Sequence, residues 1–158
     1  NPGFKPSSEI KMHMRVYEER EDVKAVVHAH PMYATTFAVC GMPLKKPIMP
    51  EAVLGLGEVP LAKYGTPSTM EIPDAVSEYL PYYDAVLLEN HGALTYGDSL
   101  LGAYHKMESL EFYARLLYQS MMLGGPKVLD KQQVKRLYGM RKDYGLTGRH
   151  PADWMELD

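Results

Sequence analysis

The sequence predicts an α/β or α+β fold in which one sheet lies between layers of helices. Two short runs rich in valine and leucine, VKAVVHAH and DAVLLEN, have the length and composition of buried strands. Longer segments around them place apolar residues every three or four positions, as amphipathic helices do. The 158 residues contain no repeat and no linker, so we expect one domain over residues 1–158.

Proline, glycine and capping residues set the expected limits of each element. Pro31 and Gly41 bracket a short helix, because proline suits the start of a helix and glycine the position after its end. The repeated prolines and glycines of residues 42–60 predict an irregular loop. The expected elements are a helix at about 7–20, a strand at 23–30, a helix at 31–40, a short strand at 59–63, a helix at 69–80, strands at 85–90 and 92–97, a long helix from 98 to about 123, and a last helix at about 130–143.

Two helices allow a prediction of which side chains face the core. In the first helix, Ser7 or Ser8 would be the cap, and the apolar positions at helical spacing are Ile10, Met14 and Tyr17. In the long helix, Asp98 would be the cap, and the expected apolar stripe is Leu100, Tyr104, Met107, Ala114 and Leu117. Glu111 and Arg115, four residues apart, are expected to form an ion pair on the outer face.

Composition narrows the classes of function. A formal net charge of -3 gives no electrostatic reason to expect a nucleic-acid partner. No apolar run approaches the roughly 20 residues that span a bilayer, so no membrane association is expected. The single cysteine, Cys40, cannot form an internal disulfide, which favours a cytoplasmic location. The start at Asn1, followed by a loop-like NPGFKP, suggests that an N-terminal segment is missing.

Three histidines form a candidate metal site. In VVHAHP, His28 and His30 occupy positions i and i+2 of a strand, so both rings point to one face. The pair alone could equally be hydrogen-bonded core histidines. His91 follows the next buried strand and precedes Gly92, which permits a close backbone approach. Three imidazoles would leave one position of a Zn²⁺ ion open, as in catalytic sites.

A carboxylate and two hydroxyls precede this strand in the segment PSSE. Glu9 is the best candidate for the open metal position, and the helix N-terminus with Ser7 and Ser8 could bind an anion. Simple helix capping is the alternative for PSSE. His13, four residues after Glu9 on the same helix face, is expected to be a packed or hydrogen-bonded histidine rather than a fourth nitrogen ligand. His105 and His150 have no partner at ligand spacing and are expected to be structural or solvated.

Taken in order, PSSE at 6–9, VVHAHP at 26–31 and LLENHGAL at 87–94 before a long helix resemble the class II aldolase/adducin family. The resemblance implies a three-layer α/β/α sandwich with a central, mainly antiparallel sheet. It also implies that His28, His30 and His91 ligate Zn²⁺, and that Glu9 is the catalytic carboxylate and a zinc ligand in the absence of substrate. Ser7 and Ser8 match phosphate-binding serines of the family.

The family resemblance also implies a reaction. A zinc-dependent aldolase would cleave a ketose 1-phosphate, such as L-fuculose 1-phosphate, by a retro-aldol step through an enediolate, giving dihydroxyacetone phosphate and an aldehyde. Tyr144, in DYGL, matches a family tyrosine that acts as a proton donor or as a transition-state stabiliser. The family forms homotetramers with active sites between subunits. Where the family has a tyrosine from a neighbouring subunit, this chain has IMPEAVLG, and Glu51 occupies that region.

Three alternatives stay open on the sequence alone. A pentulose-phosphate 4-epimerase or a sugar-phosphate dehydratase would use the same scaffold. A non-catalytic interaction module of the adducin kind would not need the histidines, so the complete set of His28, His30, His91 and Glu9 argues against it.

Overall fold

The computed structural model describes residues 3–156, and the elements lie close to the expected positions. Over these residues the helices are α1 (Ile10–Glu19), α2 (Met32–Val39), α3 (Pro50–Gly55), α4 (Glu71–Ser77), α5 (Leu100–Met122) and α6 (Lys131–Met140), and the strands are β1 (Ala25–Ala29), β2 (Leu61–Ala62), β3 (Ala85–Leu88) and β4 (Gly92–Gly97). A single 3₁₀ turn, Pro151–Asp153, follows α6. No helix in residues 3–156 is long and apolar enough to cross a bilayer.

The four strands form one sheet in the order β1-β4-β3-β2. The pairs β1–β4 and β3–β4 are antiparallel, and the short β2 runs parallel to β3. The two central strands, β3 and β4, are buried along their whole length. This burial explains why their sequences are almost continuously apolar rather than alternating. The expectation of a mainly antiparallel sheet is confirmed.

Helices cover both faces of the sheet. Alternate residues of β3 face opposite sides, so Ala85 and Leu87 pack against α2, α3 and α5, whereas Val86 and Leu88 pack against α1 and α4. Each side has its own cluster of buried apolar side chains. The three-layer α/β/α sandwich is therefore confirmed.

The expected loop at residues 42–60 contains a helix that the sequence did not reveal. Pro50 lies in the first turn of α3, where its missing N–H costs nothing, and the helix buries Ala52 and Val53. Leu44 and Val59 pair as an isolated antiparallel bridge that closes the segment. Helix α3 is only six residues long, begins with Pro50 and ends with Gly55, so its pattern resembled that of a loop.

The prediction for the buried face of α1 was wrong. The helix begins at Ile10, with Glu9 as N-cap and no capping side chain, so neither Ser7 nor Ser8 caps it in the expected way. The side chains that face the sheet are Met12 and Val16, at 1% and 0% exposure. The expected apolar positions are 39–46% exposed: Ile10, Met14 and Tyr17. Both sets have helical spacing, and only the position of α1 against α4 and the sheet selects between them.

The long helix α5 agrees with its prediction in part. Met107, Ala114 and Leu117 are buried as expected, whereas Leu100 and Tyr104, near the start, are exposed. Ser99 is the N-cap, because its hydroxyl accepts a hydrogen bond from the Gly102 amide at 3.2 Å; Asp98 was the wrong choice.

The expected ion pair between Glu111 and Arg115 was also wrong. The Glu111 carboxylate instead accepts hydrogen bonds from the N-terminus of α2. The Arg115 guanidinium lies over the ring of Tyr33, 5.7 Å from its centroid. A long-range contact between helices overrides the local i, i+4 pairing.

A buried charge cluster joins α1, β3 and α5. The Asp84 carboxylate accepts hydrogen bonds from Arg20 at 2.8 Å and from Lys106 at 2.7 Å. Arg20 and Asp84 are 3% and 6% exposed, and Arg20 also donates to the carbonyls of Leu80 and Tyr83. Because every charge is paired, the cluster compensates for the cost of removing these groups from water.

Candidate metal centre

His28, His30 and His91 come together at one end of the sheet. Their ring centroids lie 4.8–5.0 Å apart in all three pairs. One ligand-capable atom from each ring fits within a common span of 4.8 Å. Over the described residues 3–156, this is the one group of three or more such side chains found close enough to hold a metal ion.

Strand pairing explains the convergence of the three rings. His28 lies two residues after Val26, which packs toward α1 and α4, so the His28 ring points to the same face. His30 follows β1 directly and points the same way. Ala29 of β1 pairs with Ala93 of β4, which places the preceding turn, with His91, beside these rings.

The β3–β4 turn adopts the special backbone geometry that this approach needs. Asn90 has a φ of 55°, a left-handed conformation that asparagine tolerates better than most residues. A Cβ atom on Gly92 would lie 2.6 Å from both the Ala29 carbonyl oxygen and Cδ2 of His30. Only glycine therefore fits at this position of the turn.

Hydrogen bonding and burial prepare the imidazoles to act as ligands. His28 Nδ1 donates to the Ala93 carbonyl at 2.9 Å, which leaves the Nε2 lone pair free. Burial lowers the pKa of His28 and of His91, so both rings are neutral near pH 7. The buried Nδ1 of His91 has no hydrogen-bond partner among residues 3–156. A set of neutral imidazoles is suited to a divalent metal such as zinc.

Glu9 adds a carboxylate to the cluster. Its Oε2 atom lies 3.9 Å from Nε2 of His28 and 3.9 Å from Nε2 of His91. These gaps are too long for hydrogen bonds. They are near the separation of roughly 3.4 Å expected for two ligands that are each about 2.1 Å from a tetrahedral ion. The residues present therefore fit a metal ion without large movement.

Ser7 and Ser8 lie beside Glu9, and each makes a hydrogen bond to a different group of that residue. The Ser7 hydroxyl accepts a hydrogen bond from the Glu9 amide at 3.2 Å, and the Ser8 hydroxyl donates to the Glu9 carboxylate at 3.3 Å. Both serines are exposed. Their assignment to a phosphate stays a prediction.

Tyr144 lies in a different place from the histidine cluster. It is 61% exposed and lines a groove between α3 and α6, together with Glu51. Within residues 3–156 of one chain, no hydrogen bond or ring contact joins Tyr144 to the three histidines. Its catalytic role stays a prediction.

The other histidines have other roles. His150 is fully buried, where Nε2 donates to the Val53 carbonyl and Nδ1 accepts from the Ala152 amide. His13 is half-buried, and burial lowers its pKa. His105 is exposed on α5. None of the three belongs to the histidine cluster.

The fold and this centre define a class: an α/β/α sandwich with three clustered histidines and a carboxylate at one end of its sheet. The family described as Class II Aldolase and Adducin N-terminal domain matches residues 1–118, and the chain belongs to that family.

Individual relatives support the same assignment. The 5-deoxy-D-ribulose 1-phosphate aldolase of Bacillus thuringiensis is 37% identical over 142 residues, which cover 89% of this chain and 66% of that protein. The 3-oxo-tetronate 4-phosphate decarboxylase of Pectobacterium atrosepticum is 33% identical over 80% of this chain and 58% of its own length. A solved L-fuculose 1-phosphate aldolase superimposes with a TM-score of 0.80 at 30% identity, covering 89% of this chain and 65% of that one. The chain thus spans 58–66% of the length of these relatives.

Proposed function

We propose that this chain carries the catalytic site of a zinc-dependent aldolase that cleaves a ketose 1-phosphate into dihydroxyacetone phosphate and an aldehyde. The observation that supports this most directly is the placement of Glu9 Oε2 at 3.9 Å from two of three clustered histidines. Relatives named as aldolases of 5-deoxy-D-ribulose 1-phosphate and of L-fuculose 1-phosphate support this class of substrate.

The metal would be held by His28, His30 and His91, with Glu9 as a further ligand before substrate binds. Zinc bound there would supply Lewis-acid polarisation of the ketose carbonyl, which favours cleavage of the neighbouring C–C bond. The Ala93 carbonyl fixes the orientation of the His28 ring through Nδ1.

Glu9 would move the proton at the carbon beside the carbonyl. Cleavage leaves excess negative charge on that carbon, and a carboxyl group within about 3 Å can donate a proton to it. In the condensation direction, the same carboxylate removes that proton. Its side chain is 22% exposed and is held by Ser8, so its position is defined before substrate binds.

Ser7 and Ser8 would bind the substrate phosphate. Both hydroxyls are exposed beside the N-terminus of α1, where the positive end of the helix dipole favours an anion. A phosphate there would lie close to Glu9, because both serines make hydrogen bonds to that residue.

In a cytoplasmic homotetramer, Tyr144 of a neighbouring subunit would donate a proton to the aldehyde oxygen during condensation, and would take that proton back from the hydroxyl group during cleavage. Tyr144 is exposed and, within residues 3–156, makes no hydrogen bond or ring contact with the histidine cluster of its own chain. Both observations are compatible with an active site between subunits. The exposed apolar positions of α1, Ile10, Met14 and Tyr17, offer surface for such contacts. Light scattering of the purified protein measures the oligomeric state.

Zinc analysis combined with a substrate screen tests the function. The protein should contain one zinc per chain and release triose phosphate from L-fuculose 1-phosphate or 5-deoxy-D-ribulose 1-phosphate. His91→Ala should lose both zinc and activity, whereas His105→Ala, an exposed histidine on α5, should lose neither. Wild-type protein that binds no zinc contradicts the proposal, and would favour a non-catalytic module.

Decarboxylation of 3-oxo-tetronate 4-phosphate is the second candidate, because a relative with that name is 33% identical to this chain. Release of carbon dioxide, without triose phosphate from any ketose 1-phosphate, would select it. A pentulose-phosphate 4-epimerase would convert its substrate without releasing triose phosphate.

A further inference from the structure

Glu111 of α5 makes a two-oxygen contact with the start of α2. Its Oε1 accepts a hydrogen bond from the Tyr33 amide at 2.9 Å, and its Oε2 accepts one from the Ala34 amide at 2.8 Å. The next amide, that of Thr35, bonds to the Pro31 carbonyl and begins the bonding within the helix. A carboxylate from a distant helix therefore satisfies two N–H groups that helix geometry leaves unpaired.

The start of α2 has no cap of its own. Pro31 is the N-cap residue, and proline has no side-chain acceptor. The Glu111 carboxylate replaces that cap and also places a negative charge at the positive end of the helix dipole. Its own helix is firmly placed, because the neighbouring Leu110 and Ala114 are fully buried.

This contact lies next to the candidate metal centre. His30 precedes Pro31, so the position of its backbone depends on where α2 begins. The His28 ring is oriented by a hydrogen bond to a carbonyl, whereas no hydrogen bond from within residues 3–156 orients the His30 ring. The direction of the His30 ring depends on its backbone and on the close contact with Gly92.

We propose that Glu111 is a positioning residue for His30: by anchoring the first turn of α2, it holds this imidazole at the distance from His28 and His91 that a metal ion requires. The inference rests on the proposed metal centre. Arg115, one turn further along α5, covers the Tyr33 ring and supports the same turn of α2.

Three variants test the inference. Glu111→Gln keeps the shape of the side chain, but an amide has one acceptor oxygen and its NH₂ group would oppose one of the two backbone N–H groups. Glu111→Ala removes both acceptors. The matched control is Glu108→Gln on the same helix, because Glu108 is exposed and accepts a hydrogen bond from Tyr104.

Zinc affinity, measured by competition with a chelator, is the main readout. Glu111→Gln should weaken zinc binding about 10–100-fold, the usual effect of losing a group that orients a ligand, and Glu108→Gln should leave it unchanged. Amide NMR signals of Tyr33 and Ala34 in the zinc-free protein should shift in Glu111→Gln and not in the control. These two measurements use Glu111→Gln, so they do not depend on whether Glu111→Ala folds.

The possible results separate this inference from the proposed function. If wild-type protein binds zinc and Glu111→Gln binds it equally well, the positioning role is wrong although the metal centre stands. A loss of thermal stability without a change in zinc affinity would show a purely structural role and also overturn it. If wild-type protein binds no zinc, the metal centre and this inference fail together.

Discussion

Gly92 lies directly against the ring of His30: a Cβ atom on Gly92 would come within 2.6 Å of His30 Cδ2. This distance is far below van der Waals contact, and the Ala29 carbonyl oxygen is equally close. The third candidate ligand, His91, lies in the β3–β4 turn directly before Gly92. The absence of a side chain at one residue therefore sets the spacing of the cluster.

Replacing Gly92 by alanine should damage the metal centre. The added methyl group must displace either the His30 ring or the backbone of β1, so we expect zinc affinity to fall at least tenfold. Chelator competition measures the loss. Gly139→Ala is the control, because a Cβ atom there has nothing within 4 Å and alanine favours a helix. Unchanged zinc binding in Gly92→Ala would contradict the described geometry.

Glu9→Gln should separate metal binding from proton transfer. The amide keeps the shape of the side chain but cannot take up a proton as a carboxylate does, so exchange of the dihydroxyacetone phosphate proton with solvent should slow about 10²–10⁴-fold. Zinc content should remain near one per chain, because three histidines suffice to hold the ion. Glu18→Gln, on the exposed side of α1, is the control. Near-normal exchange in Glu9→Gln would remove Glu9 from the role of base.

Acid should destabilise the fold through His150. Burial, and to a lesser extent the nearby Arg141 charge, lower the pKa of His150 to about 3, although the hydrogen bond to the Val53 carbonyl acts in the opposite direction. Between pH 6.5 and 3 the unfolded chain therefore binds a proton that the folded chain excludes, and the free energy of unfolding falls as the pH falls. The expected loss between pH 7 and pH 5 is about 2 kcal/mol.

His150→Asn isolates this effect. Asparagine can still accept the hydrogen bond from the Ala152 amide, but it does not titrate. Urea unfolding of the metal-free protein between pH 5 and pH 7 should show a shallower pH dependence in this variant than in the wild type. His105→Asn, at an exposed position, should keep the wild-type dependence. Equal slopes in all three proteins would show that His150 does not carry the pH dependence.

Asp84→Asn should be strongly destabilising. The change removes the carboxylate that pairs with Arg20 and Lys106, and it leaves the nearly buried Arg20 with less compensation. We expect a loss of about 3–5 kcal/mol in the free energy of unfolding. Asp74→Asn breaks a pair with Arg15 of equal length, 2.8 Å, at an exposed site, where less than about 1 kcal/mol is expected. Chemical denaturation of both variants gives the comparison, and similar losses would contradict the importance of burial.

The buried strands and the convergence of the histidines could be predicted from local sequence. The valine-rich run indicates a strand, and histidines at positions i and i+2 of a strand point to the same face of the sheet. The turn before Gly92 then places His91 directly before β4, the strand that pairs with β1. The limits of α2 were also predicted correctly from Pro31 and Gly41. Pro31 is the N-cap residue, and Gly41 adopts a left-handed φ of 68° after the end of the helix.

Features that depend on distant contacts could not be predicted. Two apolar sets in α1 have helical spacing, and only packing against α4 and the sheet buries Met12 and Val16 rather than Ile10 and Met14. The role of Glu111 was missed for the same reason: the nearby Arg115 offered a local partner, whereas the amides it binds lie on another helix. Helix α3 was hidden because proline and glycine occur both in loops and at helix ends.

The pairing of β1 with β4 has a consequence for how the chain folds. Strand β1 is at the edge of the sheet and is held by one neighbour, with His28 opposite Leu94. A slip of one residue would turn His28 and His30 to the opposite face, away from His91. A metal ion bound by all three would favour the correct register over every slipped alternative. Removal of the metal ion should loosen this edge strand first. The expected result is an increase in the rate of amide hydrogen exchange that is larger in β1 than in the central β3.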